Sequence, residues 1–162
     1  MADSSGPAAP PEPKGNATYL GFDFGRKNTG VAVGQRITGT ASGLETIRST
    51  HPEALWDAIS RLVKTWQPTA FVVGVPHPLV ESEAKNPLIA LIRQFCLDLE
   101  VRYQRPVYEM DEALSTRESQ SLFYSRRTRK SVPFAAIKDE LAAMLILQTW
   151  LDHTAPKGSL DA

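Results

Sequence analysis

Six residues, Ala70-Phe-Val-Val-Gly-Val75, form an almost wholly apolar run that ends at Pro76. A strand with one wet face alternates polar and apolar residues, so a short continuous run reads as a strand covered on both faces. Such a strand needs helices above and below its sheet and a parallel crossover to a neighbour, which sets an α/β layer order. At 162 residues with 42% hydrophobic content, the chain has material for one domain with a substantial core and too little for two.

The flanking segments supply the remaining layers. Residues 18 to 24 and 30 to 33 read as strands joined by the polar turn Gly25-Arg26-Lys27-Asn28-Thr29, and a third strand from about residue 38 to 47 completes an antiparallel meander. Leu55, Ala58, Ile59, Leu62, Val63 and Trp66 then recur at helical spacing between Pro52 and Pro68. After the apolar strand, Asn86 reads as the cap of a second helix with Pro87 in its first position, burying Leu88, Leu91, Ile92, Phe95 and Leu99. Residues 106 to 110 give a fifth strand, and Ser115-Thr-Arg-Glu118 fits a capping box that opens a third helix carrying Leu122 and Phe123. Arg126, Arg127, Arg129 and Lys130 follow in an expected loop. A final helix from about Phe134 to Asp152 is apolar nearly all round through Leu141 to Leu147, which predicts burial against the sheet.

Residues 1 to 16 hold four prolines among Ala, Ser and Gly and read as a disordered tail. Residues 17 to 153 form the expected domain, and 154 to 162 a short C-terminal tail. Lys plus Arg equals Asp plus Glu at 18 each, so a polyanion site has to be local. The single cysteine, Cys96, reads as core and forms no internal disulfide; with no basic leader and no apolar stretch of bilayer length, the expectation is a cytoplasmic protein with no membrane partner. His51, His77 and His153 lie at segment edges and receive no role.

The chemistry lies in three carboxylates. In the first strand, alternation puts Leu20, Phe22 and Phe24 on one face and Gly21, Asp23 and Gly25 on the other, so Asp23 has glycines as face-mates and reads as facing a cleared pocket. A buried carboxylate needs a salt bridge, here to Arg26 or Lys27, or hydrogen bonds, or a cleft that admits a cation. Asp111 and Glu112 sit past the fifth strand, at the edge where α/β sheets place ligands, although acids there also serve as caps. Asp139 precedes the last helix or lies in its first turn, where the helix dipole favours an acid, and Ala142 and Ala143 leave that flank open to close approach. Brought to one cleft, three such acids repel unless a divalent cation neutralises them, and oxygen-only ligation suits Mg²⁺ or Mn²⁺. Two such ions about 4 Å apart activate water and stabilise the leaving oxygen in phosphodiester hydrolysis.

The ordered set GFDFGRKNTGVAVGQRITGTASGLETI, VVGVP, DEALST and KDELAAMLIL resembles the YqgF/RuvX family over about residues 18 to 152. The resemblance implies an RNase H-like fold: a mixed five-stranded sheet, three antiparallel N-terminal strands plus two parallel, flanked by helices. It implies a metal-dependent nuclease that matures the end of pre-16S ribosomal RNA, with ribosomal RNA precursor or other structured nucleic acid, and the ribosome, as partners. Asp23, Glu112 and Asp139 match the family's metal-binding catalytic acids, Asp111 is the reserve, and Arg26 and Lys27 match a loop able to touch the scissile phosphate. Arg126, Arg127, Arg129 and Lys130 add a cation cluster suited to a phosphate backbone, or a solvated loop. Two positions depart from the pattern: Ala113 replaces an arginine after the DE pair, and residues 77 to 82 replace a polar Asn- and Gly-containing loop. Alternative readings are a Holliday-junction-resolvase-like DNA nuclease, a non-catalytic RNA-, ribosome- or transcription-associated binding protein, and an actin-like ATPase domain. The last is disfavoured by the lack of a second phosphate loop.

Overall fold

The structure, a computed structural model, describes residues 17–76, 86–127 and 134–155, with side chains in the last segment from residue 137. The chain runs β1 (Thr18–Asp23), β2 (Asn28–Gln35), β3 (Thr40–Arg48), α1 (Pro52–Trp66), β4 (Ala70–Val75), α2 (Pro87–Tyr103), β5 (Val107–Asp111), a 3₁₀ turn (Glu112–Leu114), α3 (Arg117–Arg127) and α4 (Phe134–His153). The sheet order is β3-β2-β1-β4-β5. The first three strands pair antiparallel, and β4 and β5 join parallel to β1, as expected. Every residue of β4 is buried, because the strand lies between β1 and β5 with helices on both faces.

Alternation along the strands divides the core in two. Leu20, Phe22, Phe71 and Val73 face α1 and α2, where they meet Ile59, Leu62, Phe95 and Leu99. Tyr19, Ala32, Val72 and Met110 face α4, where they meet Ala143, Leu147, Trp150 and Leu151. Full burial of each large side chain is worth about 1.5–3 kcal/mol, so both faces contribute heavily to holding the sheet. No helix among the described residues is long and apolar enough to cross a membrane.

Local signals explain where the crossover helices begin and end. Pro87 occupies the first turn of α2 and the Asn86 side chain accepts from the Leu88 amide at 3.1 Å. His51, without an expected role, caps α1 by accepting from the Ala54 amide at 3.2 Å. Both helices close on a left-handed glutamine, Gln67 (φ 47°) and Gln104 (φ 56°), whose side-chain amide donates to the carbonyl three residues earlier.

Several expectations are corrected. The reciprocal cap of α3 falls one residue later than Ser115/Glu118: the Thr116 amide donates to Ser119 Oγ and the Ser119 amide to Thr116 Oγ1, both at 3.0 Å. Serine reaches back as well as the expected glutamate because the contact needs only an oxygen at the third helical position. Arg126 and Arg127 end α3 instead of lying in a loop. Asp139 lies beyond the first turn of α4, past the region where the helix dipole acts most strongly. Leu122 is 54% exposed and α3 buries no residue, so this helix is a peripheral cover.

The glycines beside Asp23 serve helix and turn packing. A Cβ on Gly21 would sit 2.8 Å from Leu147 Cβ, and one on Gly30 would collide with the Asp139 carbonyl, so both glycines admit α4 onto the sheet. A Cβ on Gly25 would lie 2.5 Å from the Asn28 carbonyl oxygen, which makes that glycine part of the tight turn into β2. The pocket expected from Gly21 and Gly25 is therefore close packing. The small flank at Ala142 and Ala143 does permit the approach: Ala143 is fully buried and its carbonyl oxygen would lie 3.4 Å from a Cβ on Gly21.

Candidate active site

Three parallel strands, β1, β4 and β5, end at the same sheet edge, the edge where open α/β sheets bind ligands. Asp23 ends β1 on the α4 face. The register pairs Phe22 with Val73, which brings Asp23 level with Gly74 of β4. A Cβ on Gly74 would lie 2.9 Å from Glu112 Oε2, so this glycine makes the space the Glu112 carboxylate occupies. Gly74 is the site residue that sequence reading missed, although a lone glycine inside an apolar strand run signals close approach.

Asp23 and Glu112 line one cleft of about 200 Å³ with Ser115, Gln120, Tyr124 and Ala142. Burial, and after it the negative charges of Glu112 and Asp139, together raise the Asp23 carboxyl to about 7. Burial also raises Glu112, with Asp111 adding to it, and raises the Tyr124 phenol, with Asp23 and Glu112 adding to it. These groups share one electrostatic environment with an excess of negative charge. Asp139 acts on Asp23 through its field but does not line the cleft. Among the described residues, Asp23 forms no ion pair with Arg26 or Lys27, which removes the salt-bridge reading.

The donor set fits a hard divalent cation: carboxylate oxygens at an edge where positive charge would relieve the mutual repulsion. The cage is not preformed, since among the described residues no three Asp, Glu, His or Cys side chains stand close enough to hold an ion. Tyr124 and Gln120 add neutral hydrogen-bonding groups from α3. Sequence reading of α3 followed its apolar residues and missed Tyr124, whose hydroxyl on a half-buried helix face was the available signal.

The reserve acid has a structural role. Asp111 Oδ1 accepts from the Ala113 amide at 2.9 Å and caps the 3₁₀ turn that carries Glu112. Arg26 and Lys27 are exposed in the turn after β1, and the Ser49 amide donates to the Lys27 carbonyl at 2.7 Å, tying that turn to the end of β3. Neither cationic side chain has a partner among the described residues. Arg126 and Arg127 stand exposed at the end of α3, with the Arg127 guanidinium 3.8 Å from the centre of the Phe123 ring. Arg129, Lys130 and residues 77 to 82 lie outside the described residues. A second cavity, about 400 Å³ and mainly apolar, opens on the opposite face of this edge. It lacks the carboxylate cluster, so the smaller cleft is the candidate centre.

This fold, an RNase H-like mixed sheet, is one that junction resolvases share. Thermus thermophilus RuvC in complex with Holliday junction substrate has a TM-score of 0.55 at 16% identity, covering 82% of this chain and 92% of that one. Fowlpox virus resolvase with Holliday junction DNA has a TM-score of 0.53 at 12% identity, covering 86% and 99%. The chain belongs to the family described as RuvX, Holliday junction resolvase, which matches residues 17–153. A relative from Methylococcus capsulatus is 54% identical over 143 residues, covering 87% of this chain and 93% of its own. One from Legionella pneumophila strain Philadelphia 1 is 38% identical over 136 residues, covering 84% and 96%. Both carry names that make them candidate pre-16S rRNA nucleases.

Proposed function

We propose that this chain is a metal-dependent endonuclease that hydrolyses phosphodiester bonds in processing the pre-16S ribosomal RNA end. The observation that carries the reading is the Asp23 carboxyl, raised to about 7 by burial and by Glu112 and Asp139 at the carboxyl edge of the sheet. A buried acid without a cationic partner is costly in any structural role, and it is what a cation-binding phosphoryl-transfer site requires. The names of the relatives support RNA as substrate.

Asp23 and Glu112 would hold the cation, with Asp139 completing the negative field. A bound Mg²⁺ or Mn²⁺ ion, or a pair of them, supplies water activation and charge stabilisation at the leaving oxygen. The chain's own residues orient and exclude. Gly74 keeps Glu112 at the edge, Met110 and Ile146 form the dry wall, and Tyr124 and Gln120 offer hydrogen bonds to non-bridging phosphate oxygens. Arg26 and Lys27 from the first turn, and Arg126 and Arg127 from α3, would hold the flanking backbone phosphates in a salt-dependent manner. Arg129 and Lys130 extend the latter cluster in sequence.

Purified protein with Mn²⁺ is expected to cleave a pre-16S RNA end, and Asp23→Asn to abolish cleavage while its circular dichroism and melting remain those of a folded protein. Full activity in that variant would remove Asp23 from the mechanism. The structural likeness to proteins bound to junction DNA supports a second reading, a four-way DNA junction as substrate. Faster cleavage of a four-way junction than of the RNA in the same assay would favour it.

A further inference from the structure

The apolar cavity on the opposite face is built around a row of rings. Phe24 and Phe95 lie 4.8 Å apart at 32°, and Trp56 stacks on Phe95 at 5.5 Å and 29°. At the cavity's side Leu91 is left 42% exposed, although the groove beside it offers about 400 Å³ of space, within the size range of small-ligand sites. Phe24 directly follows Asp23, so β1 sends the candidate catalytic acid to one face and a wall of this groove to the other.

The polar groups around the rings are unevenly charged. Arg26 lines the groove without a side-chain partner among the described residues, while Lys27 and Arg48 line an adjoining cavity of about 220 Å³. Ser49 borders both cavities, and its hydroxyl is buried with no hydrogen-bond partner. From α2, Asp98 accepts from Gln94 Nε2 at 3.0 Å with one oxygen, and its second oxygen adds acceptor capacity. Cations from the turn, flat apolar walls and a carboxylate acceptor together match the parts of a nucleotide: phosphate, base face and exocyclic amino group.

We propose that this groove receives one unpaired nucleobase of the bound strand, with the adjoining phosphate on Arg26 and Lys27. The proposal rests on the nucleic-acid reading above and assigns a subsite separate from the acidic cleft. A base inside a duplex cannot enter an apolar groove, so the subsite would direct cleavage to single-stranded or splayed nucleotides. Asp98 favours bases bearing an amino group over uracil.

The test is fluorescence anisotropy in EDTA, where no cleavage occurs, comparing a short labelled oligoadenylate RNA with a base-free sugar-phosphate strand of equal charge. Wild-type protein should bind the RNA about tenfold more tightly, the scale of one base–aromatic stack. Leu91→Glu changes an exposed side chain and should bring that ratio close to one with unchanged melting. Phe24→Leu, which keeps apolar bulk but removes a ring, should reduce it in part. Equal wild-type affinity for the two strands, or an undiminished ratio in Leu91→Glu, would overturn the proposal. Cleavage assayed separately with Mn²⁺ keeps the readings apart: cleavage without base discrimination removes the groove and leaves the nuclease. Base discrimination lost in Leu91→Glu, without cleavage by wild type, supports the groove and removes the nuclease.

Discussion

The two faces of the sheet meet their helices by different means. Against α4, Gly21, Gly30 and Gly43 let the helix approach the strands closely, and the Asp139 carbonyl lies where a Cβ of Gly30 would be. Against α1 and α2, Phe22, Phe71 and Phe95 fill the gap with side-chain volume, in rings 5.4 to 6.0 Å apart. Backbone packed on backbone has few ways to relax, whereas a wall of side chains can shift rotamers. The charges that must hold position against mutual repulsion lie on the glycine face. The groove with the larger volume lies on the aromatic face.

The largest effect expected on the glycine face is electrostatic. Asp23 is about 7 in the fold against an ordinary 3.8, so the folded protein holds a proton that the unfolded chain has already lost between those values. A carboxyl raised on folding leaves stability highest below its unfolded pKa. Stability then falls as pH rises toward about 7 and levels off above it, by up to roughly 4 kcal/mol. Chemical denaturation of metal-free protein from pH 4 to 8 is expected to follow that slope, and Asp23→Asn to flatten it and to be the more stable protein at pH 8. Mn²⁺ should raise the melting temperature more at pH 8 than at pH 5, because the ion binds the ionised form. A wild-type stability that rises across this range would mean that Asp23 is neutralised by a group on the protein.

A smaller effect comes from shape. Gly30→Ala adds one methyl against the Asp139 carbonyl and should cost about 3 kcal/mol in urea denaturation, since neither strand nor helix can yield without moving the other. It should also lower cleavage, because Asp139 moves with α4. A variant of wild-type stability would show that this face is as adaptable as the opposite one.

How far the sequence revealed this arrangement follows the same division. The aromatic face was legible, apart from Leu91, which was expected buried and is 42% exposed, because volume, periodicity and caps are local: Pro52, Asn86 and Pro87 mark helix starts, and the β4 run specifies its own burial. The mix of three antiparallel and two parallel strands followed from the crossover logic and from the family resemblance; the order β3-β2-β1-β4-β5 came from the structure. The glycine face was legible only in part. The acids could be named, but Gly21 reads the same whether it clears a ligand pocket or admits a helix, and only the position of Leu147 decides. Tyr124 depended on the placement of α3, a helix with no buried residue to signal its inward face. Asp111 could not be separated from Glu112 by composition; its bond to the Ala113 amide separates them.

The smallest expected effect belongs to the aromatic face and completes the contrast. Ile59 of α1 is fully buried against that side of the sheet, so Ile59→Val removes one methyl where Gly30→Ala adds one. The cost should be about 1 kcal/mol, the usual range for this change, because neighbouring side chains can partly close the space. Cleavage at saturating Mn²⁺ should be unchanged, since no candidate metal-binding acid belongs to that packing. If Ile59→Val lowers cleavage as much as Gly30→Ala does, the two faces are mechanically coupled through β1. Asp23 and Phe24 would then respond to packing on either side of the strand.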